Sequence, residues 1–162
     1  MAVTTQNSTE YTNATASPVV TLNPTTDYAG RVRIMHFTHA QSGAGDATSS
    51  VALGTLPAGK VKVLLASSNA YVNWTTASAT LDLGWDAYTD GDGNSVAADA
   101  DGLLDGLNVD TAGQFSFGSG QNATGGTYTF NSKGGVTIRA TSQDTAIADG
   151  DDLVGYILYV VD

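Results

Sequence analysis

Val136-Thr137-Ile138-Arg139-Ala140 alternates apolar with polar side chains, and this period of two indicates the fold class. Successive side chains of a β-strand point to opposite faces, so the stretch predicts a strand with one buried face and one solvated face. No window shows a sustained period of 3.6 residues. About eight or nine strands at this spacing predict an all-β sandwich or barrel. The same alternation recurs at 32–37, 60–65, 80–85, 115–117 and 127–130.

The final apolar run, residues 156–161 (YILYVV), is apolar on both faces of the predicted strand. Both faces should therefore be covered, either because the strand is central in a sandwich or because another subunit buries it. We expect part of this run, or the aromatic residues near Trp74 and Trp85, to lie at a subunit interface. The sequence thus predicts a stable homo-oligomer, and a trimer is the number we expect.

Charge excludes several classes of partner. The 162 residues carry 6 basic and 16 acidic side chains, a formal net charge of −10, and no cysteine. Such a surface repels phosphate backbones and anionic lipid headgroups, so we expect no nucleic-acid partner and no membrane partner. The first residues have neither a basic nor an apolar region of a signal peptide, which predicts either synthesis and folding in the cytoplasm or a leader that has already been removed.

Residues 1–30 differ in composition from the rest of the chain. Thr, Asn, Ser and Ala dominate as far as Ser17, and this stretch cannot bury enough apolar area to fold alone. It is either a disordered terminus or an extended N-terminal arm that docks on a neighbouring subunit. The division is therefore an arm at 1–30 and a sandwich domain at 31–162. The candidate partner-binding residues of the arm are Tyr11, Val19, Val20 and Leu22.

Residues 86–111 interrupt the series of predicted strands, and their Asp, Gly and Ala content predicts a long loop. Within it, Asp90, Asp92 and Asn94 match the first three ligand positions of a calcium-binding EF-hand loop. Ser95, however, replaces the glycine of the sharp turn, and Asp101 replaces the bidentate glutamate. An Asp-rich turn whose side chains bond their own backbone is the alternative that we favour, so we predict no metal.

No catalytic constellation is visible, and we predict neither enzyme activity nor a cofactor. His36 and His39 are the two histidines, and positions three apart on a strand face opposite sides, so they cannot easily share a metal. No nucleophile elbow of the Gly-x-Ser-x-Gly type is present. A carbohydrate platform built from Tyr71, Trp74, Trp85 and Tyr88 is possible, but core or interface packing is the interpretation that we favour.

Four stretches carry a resemblance to a known class of protein, and they are strand and turn patterns without a chemical signature. The stretches are YVNWTTASATLDLGWDAY (71–88), LPAGKV (56–61), GGVT (134–137) and VGYILYVVD (154–162). Through them, over about residues 30 to 162, the chain resembles small virion proteins of tailed bacteriophages, in particular head decoration (cement) proteins.

The resemblance implies a single antiparallel β-sandwich that is jelly-roll-like and assembles as a homotrimer on the outer surface of the capsid. There it would bridge subunits of the major capsid protein and stabilise the shell against the packed DNA. Two alternatives remain: another phage virion component, such as a tail, baseplate or fibre protein, or a carbohydrate-binding β-sandwich module.

Overall fold

The computed structural model describes residues 7–18, 21–27, 29–74, 76–118, 124–143 and 145–162. One short helix precedes twelve strands. They are α1 (Thr9–Thr15), β1 (Val32–Ala40), β2 (Ser50–Leu56), β3 (Gly59–Leu64), β4 (Asn69–Val72), β5 (Thr80–Trp85), β6 (Tyr88–Thr89), β7 (Ser95–Val96), β8 (Asp99–Asn108), β9 (Gly113–Ser116), β10 (Thr127–Ser132), β11 (Val136–Ser142) and β12 (Asp152–Val161). None of the helices in the described part of the chain is long and apolar enough to span a membrane.

Ten of the twelve strands form two antiparallel sheets, which confirms the predicted all-β sandwich, and β6 and β7 form a separate two-stranded sheet. A four-stranded sheet has the order β2-β11-β5-β8. In a six-stranded sheet β12 pairs with β1 along one edge and with β3 and β4 along the other. β10 pairs with β3, and β9 pairs with β4. The first strand therefore pairs with the last strand, and the second strand with the next to last. This winding of two sheets is that of a jelly roll.

The core lies between the two sheets and is built from the inward positions of the predicted alternations. Val136, Ile138 and Ala140 of β11 are all buried, as their spacing requires. Aromatic side chains fill one end of the core, where the Phe130 ring lies 5.3 Å from that of Trp85 and 4.8 Å from that of Tyr128. Edge and tilted ring contacts of this kind add to the stabilisation from burial alone.

The prediction of a long loop over residues 86–111 is wrong for its second half. Residues 99–108 form β8, which pairs with β5 at the edge of the four-stranded sheet. Two register shifts interrupt this pairing, and the consecutive residues Leu103 and Leu104 are both buried. Irregular pairing removes the strict alternation on which strand prediction from sequence depends. The first half is a small hairpin of β6 and β7.

Strand β12 is central in the six-stranded sheet, as its two apolar faces predict. Ile157 points into the core and is fully buried. Val160 points to the outer face, yet it is only 5% exposed. The segment around Gly30 covers it, since a β-carbon placed on Gly30 would lie 2.5 Å from Val160 Cγ1. One end of the outer face is thus closed by the chain's own N-terminal region.

The N-terminal region is partly helical and partly fastened to the sandwich. Helix α1 begins after Ser8, whose hydroxyl accepts a hydrogen bond from the Tyr11 amide at 3.1 Å, as expected of a serine N-cap. Further on, the Thr25 amide donates a hydrogen bond to the Asp162 carboxylate at 3.1 Å. Lys62 also forms an ion pair with Asp27. Residues 25–27 are therefore fastened where β3 pairs with the C-terminal end of β12.

Candidate interaction surface

Two of the four predicted partner-binding residues are exposed, and two cannot be placed. Tyr11 on α1 is 54% exposed, and Leu22 is 83% exposed. Val19 and Val20 lie outside the described residues. Asn13 Nδ2 donates a hydrogen bond to Asn23 Oδ1 at 3.0 Å, which ties α1 to the segment that follows it. Tyr11 and Leu22 are accessible to a partner, and their role in binding one stays a prediction.

A larger accessible apolar surface lies on the outer face of the six-stranded sheet, and its residues are too far apart in the sequence to be predicted as a unit. Antiparallel register places Ile34 opposite Leu158 and Val154 opposite Tyr71, so residues from three neighbouring strands meet there. Side chains directly opposite on paired strands touch one another. We call this surface the apolar sheet face; its members are Val32, Ile34, Tyr71, Val154, Tyr156 and Leu158.

Exposure distinguishes this face from the covered end of the same sheet. Val32 is 53% exposed, Ile34 48%, Val154 39% and Tyr71 37%. They are four of the six large hydrophobic side chains that are exposed among the described residues. Scattered exposed apolar residues are normal on a protein surface, but a contiguous group marks an interaction site.

A pocket of about 240 Å³ opens in the apolar sheet face. The rings of His36 and Tyr156 meet edge to face there at 6.0 Å. Tyr71 and Gln114 also line it, together with Asn69. The Oδ1 atom of Asn69 is buried and accepts no hydrogen bond from the described residues.

The charges of the protein lie mainly away from this face. Among the outward positions of the strands of the six-stranded sheet, Asp152 at one end is the single acidic residue, whereas Lys60 and Lys62 are basic. Lys62 donates a hydrogen bond to Asp27 and thereby lowers the pKa of that carboxyl. Half of the sixteen acidic residues occupy one segment of the four-stranded sheet and its loops: Asp82, Asp86, Asp90, Asp92, Asp99, Asp101, Asp105 and Asp110.

The Asp90 loop has the geometry of a self-bonded turn. Asp90 Oδ1 accepts hydrogen bonds from the backbone amides of Asp92 at 2.9 Å and Asn94 at 2.8 Å. Asp90 Oδ2 accepts one from Asn94 Nδ2 at 3.1 Å. These hydrogen bonds lower the pKa of Asp90 because they favour the charged carboxylate, and the bond from the Asn94 backbone amide has the largest effect. In the described residues no group of three or more metal-ligating side chains is found.

Chelation should accordingly leave the protein's stability unchanged. A calcium ion bound to the folded state would raise the melting temperature by mass action, and its removal would lower it. We expect the same melting temperature with EDTA and with millimolar calcium, because backbone amides already occupy the Asp90 carboxylate. Thermal denaturation in the two buffers is the measurement, and a drop of several degrees in EDTA would contradict the prediction.

The remaining candidate residues have mostly structural positions. His36 pairs with Tyr156 on the outer face and His39 pairs with Leu153 on the inner face, so the two histidines face opposite sides as predicted. Trp74 is 1% exposed and Trp85 7%, and both belong to the core. Of the four proposed platform residues, Tyr71 alone is exposed. The interpretation as packing residues is thus confirmed for the two tryptophans.

Comparison with solved structures identifies proteins of the same architecture. A chain of the cyanophage Pam1 capsid asymmetric unit matches with a TM-score of 0.54 and 16% identity, over 91% of this chain and 96% of that one. A chain of infectious bursal disease virus, Gt strain, matches with a TM-score of 0.50 and 8% identity, over 83% of this chain and 32% of that longer chain. The protein has a viral capsid-like fold. These identities are too low to show more than the fold.

Other comparisons add less. The CBM22-1 xylan-binding domain from Paenibacillus barcinonensis Xyn10C matches with a TM-score of 0.43 and 14% identity, which is too distant to support a shared architecture. No family model matches the sequence. No curated protein sequence matches it either.

Proposed function

We propose that this chain is a structural, non-catalytic protein of a phage virion that decorates and stabilises the outer surface of the capsid. The observation that carries the proposal is the likeness to the Pam1 capsid chain, which extends over almost the whole of both chains. The comparison is thus between two jelly rolls of similar extent. It agrees with the resemblance of the sequence to head decoration proteins.

Charge favours the outer surface of the shell over the inner one. The inner surface of a filled capsid faces packed DNA, which repels a chain with a net charge of −10. On the outer surface this acidic exterior meets only the shell and the solvent. The partner proposed there is the major capsid protein.

Binding by several copies at once is the proposed mechanism. In a homotrimer, three arms carrying exposed Tyr11 and Leu22 contact neighbouring capsid subunits together. Once one arm is bound, the others bind at high effective concentration, so modest individual contacts add up to firm attachment. The trimer bridges adjacent subunits and holds them together.

Removal of residues 2–17 tests this mechanism. The deletion removes α1 but keeps the hydrogen bond from Thr25 to Asp162 and the ion pair between Lys62 and Asp27, so the melting temperature should hardly change. Occupancy on heads that lack the protein should fall sharply, because each trimer loses three contacts together. The measurement is the number of copies bound per head at limiting protein concentration.

The full-length chain and an exposed-site variant provide the controls. Thr15→Ala lies in the same helix and keeps Tyr11 and Leu22, so it should bind heads as the full-length chain does. Equal occupancy of truncated and full-length protein would eliminate residues 2–17, with Tyr11, as the binding element. Failure of the full-length protein to bind any heads, or its location in the tail of intact particles, would overturn the proposed function.

A further inference from the structure

The apolar sheet face has the size expected for the centre of a protein–protein contact. It spans about seven residues along three strands, which at ~3.4 Å per residue and ~4.8 Å per strand gives roughly 350 Å². A standard interface removes about 800 Å² from each partner, of which rather more than half is apolar. The face therefore supplies most of the apolar area that one side of such a contact needs.

The face continues to an open sheet edge. β1 pairs only with β12 among the described strands, so its other edge presents backbone N–H and C=O groups. Edge strands of nine residues are normally shielded by charge, proline or a covering segment. β1 carries the exposed charge of Arg33, but its outward positions Val32, Ile34, His36 and Thr38 have no lysine, arginine, carboxylate or proline. Edge and face together form one accessible surface.

Charge limits the surface through which two copies can meet. Two copies of a chain with a net charge of −10 repel one another wherever their acidic surfaces meet. A partner with a basic surface would instead be drawn to the acidic segment between Asp82 and Asp110. Two copies therefore need a contact surface almost free of carboxylates, and the apolar sheet face is such a surface.

We propose that further copies of this chain cover the apolar sheet face, so that the outer faces of the six-stranded sheets pack on one another. The inference rests on the proposed function, in which several copies act as one unit, and it adds the surface through which they meet. The acidic four-stranded sheets point away from the contact.

The double variant Ile34→Asp with Val154→Asp tests the inference. Both side chains are exposed in the single chain, so the fold should persist, while two carboxylates per copy enter the proposed contact. Light scattering coupled to size exclusion should give a multiple of 16.5 kDa for the natural protein and 16.5 kDa for the variant, both at micromolar concentration. The double variant Ala47→Asp with Ala98→Asp is the matched control and should keep the natural mass, because both side chains are exposed and lie outside the six-stranded sheet.

Three results would overturn the inference: a natural protein of 16.5 kDa, an Ile34→Asp, Val154→Asp variant of unchanged mass, or dissociation by the Ala47→Asp, Ala98→Asp control as well. Circular dichroism checks that the variant is folded. If it is not, the single variants Val32→Lys and Tyr71→Lys replace it, with the same expected loss of the oligomer. Head binding is measured separately. A folded monomeric variant that still binds heads, but weakly, supports both proposals. A natural protein that is oligomeric but binds no heads refutes only the proposed function.

Discussion

Phe130→Ala should lower the free energy of unfolding by about 3–5 kcal/mol, the usual cost of truncating a fully buried aromatic residue. Phe130 is 1% exposed, and its ring contacts those of Trp85, Tyr88 and Tyr128. The truncation leaves a cavity at the end of the core and removes three ring contacts. For a chain of this size the melting temperature should fall by roughly 6–20 °C.

Tyr11→Ala is the matched control for this prediction. Tyr11 is also aromatic, but it is 54% exposed on the N-terminal helix, so its loss should change the free energy of unfolding by less than about 0.5 kcal/mol. Both variants are to be compared at one protein concentration, because oligomerisation makes the melting temperature depend on concentration. Similar melting temperatures for the two variants would show that the aromatic cluster is not part of the core.

Gly84→Ala should destabilise the four-stranded sheet by at least about 2 kcal/mol, as overpacking at an inflexible site does. A β-carbon on Gly84 would lie 1.9 Å from the carbonyl oxygen of Asp99 and 2.5 Å from the carbonyl carbon of Ala100. Both are backbone atoms of β8, so no side chain can turn aside to relieve the clash. β8 must move away from β5, which exposes Leu103 and Leu104.

Gly134→Ala is the matched control, since a β-carbon there meets no atom within 4 Å. An alanine in open space costs nothing in the folded state and restricts the unfolded chain, so stability should stay the same or rise slightly. Urea denaturation of the two variants measures the difference. Coincident midpoints would mean that β8 does not pack on Gly84 as closely as described.

Prediction from sequence succeeded where strands pair regularly. Val136, Ile138 and Ala140 are buried as their alternation predicts, and the run at 156–161 forms a central strand. It failed at 99–108, because the two register shifts place Leu103 and Leu104 side by side in the core. The hydrophobic period of a strand is informative only while its register with the neighbouring strand is unbroken.

The candidate surface was predicted less completely than the fold. The sequence indicates that residues 156–161 need cover on both faces, but it does not indicate which residues share the outer face with them. Ile34 and Tyr71 are far in sequence from Leu158 and Val154, and only strand pairing brings them together. Tyr11 and Leu22 were selected for their apolar character alone, and their exposure is consistent with binding without testing it.

The sequence by itself determined the fold class, the acidic surface, the self-bonded turn at Asp90 and the opposite directions of His36 and His39. Each of these depends on the type and local spacing of residues, which a linear chain already contains. Only the tertiary structure decided that β8 is a strand, that the Trp74 and Trp85 rings are buried, and that one face of the six-stranded sheet is apolar and open. These properties depend on which strands become neighbours and in which register, and that choice is made by packing between residues distant in the chain.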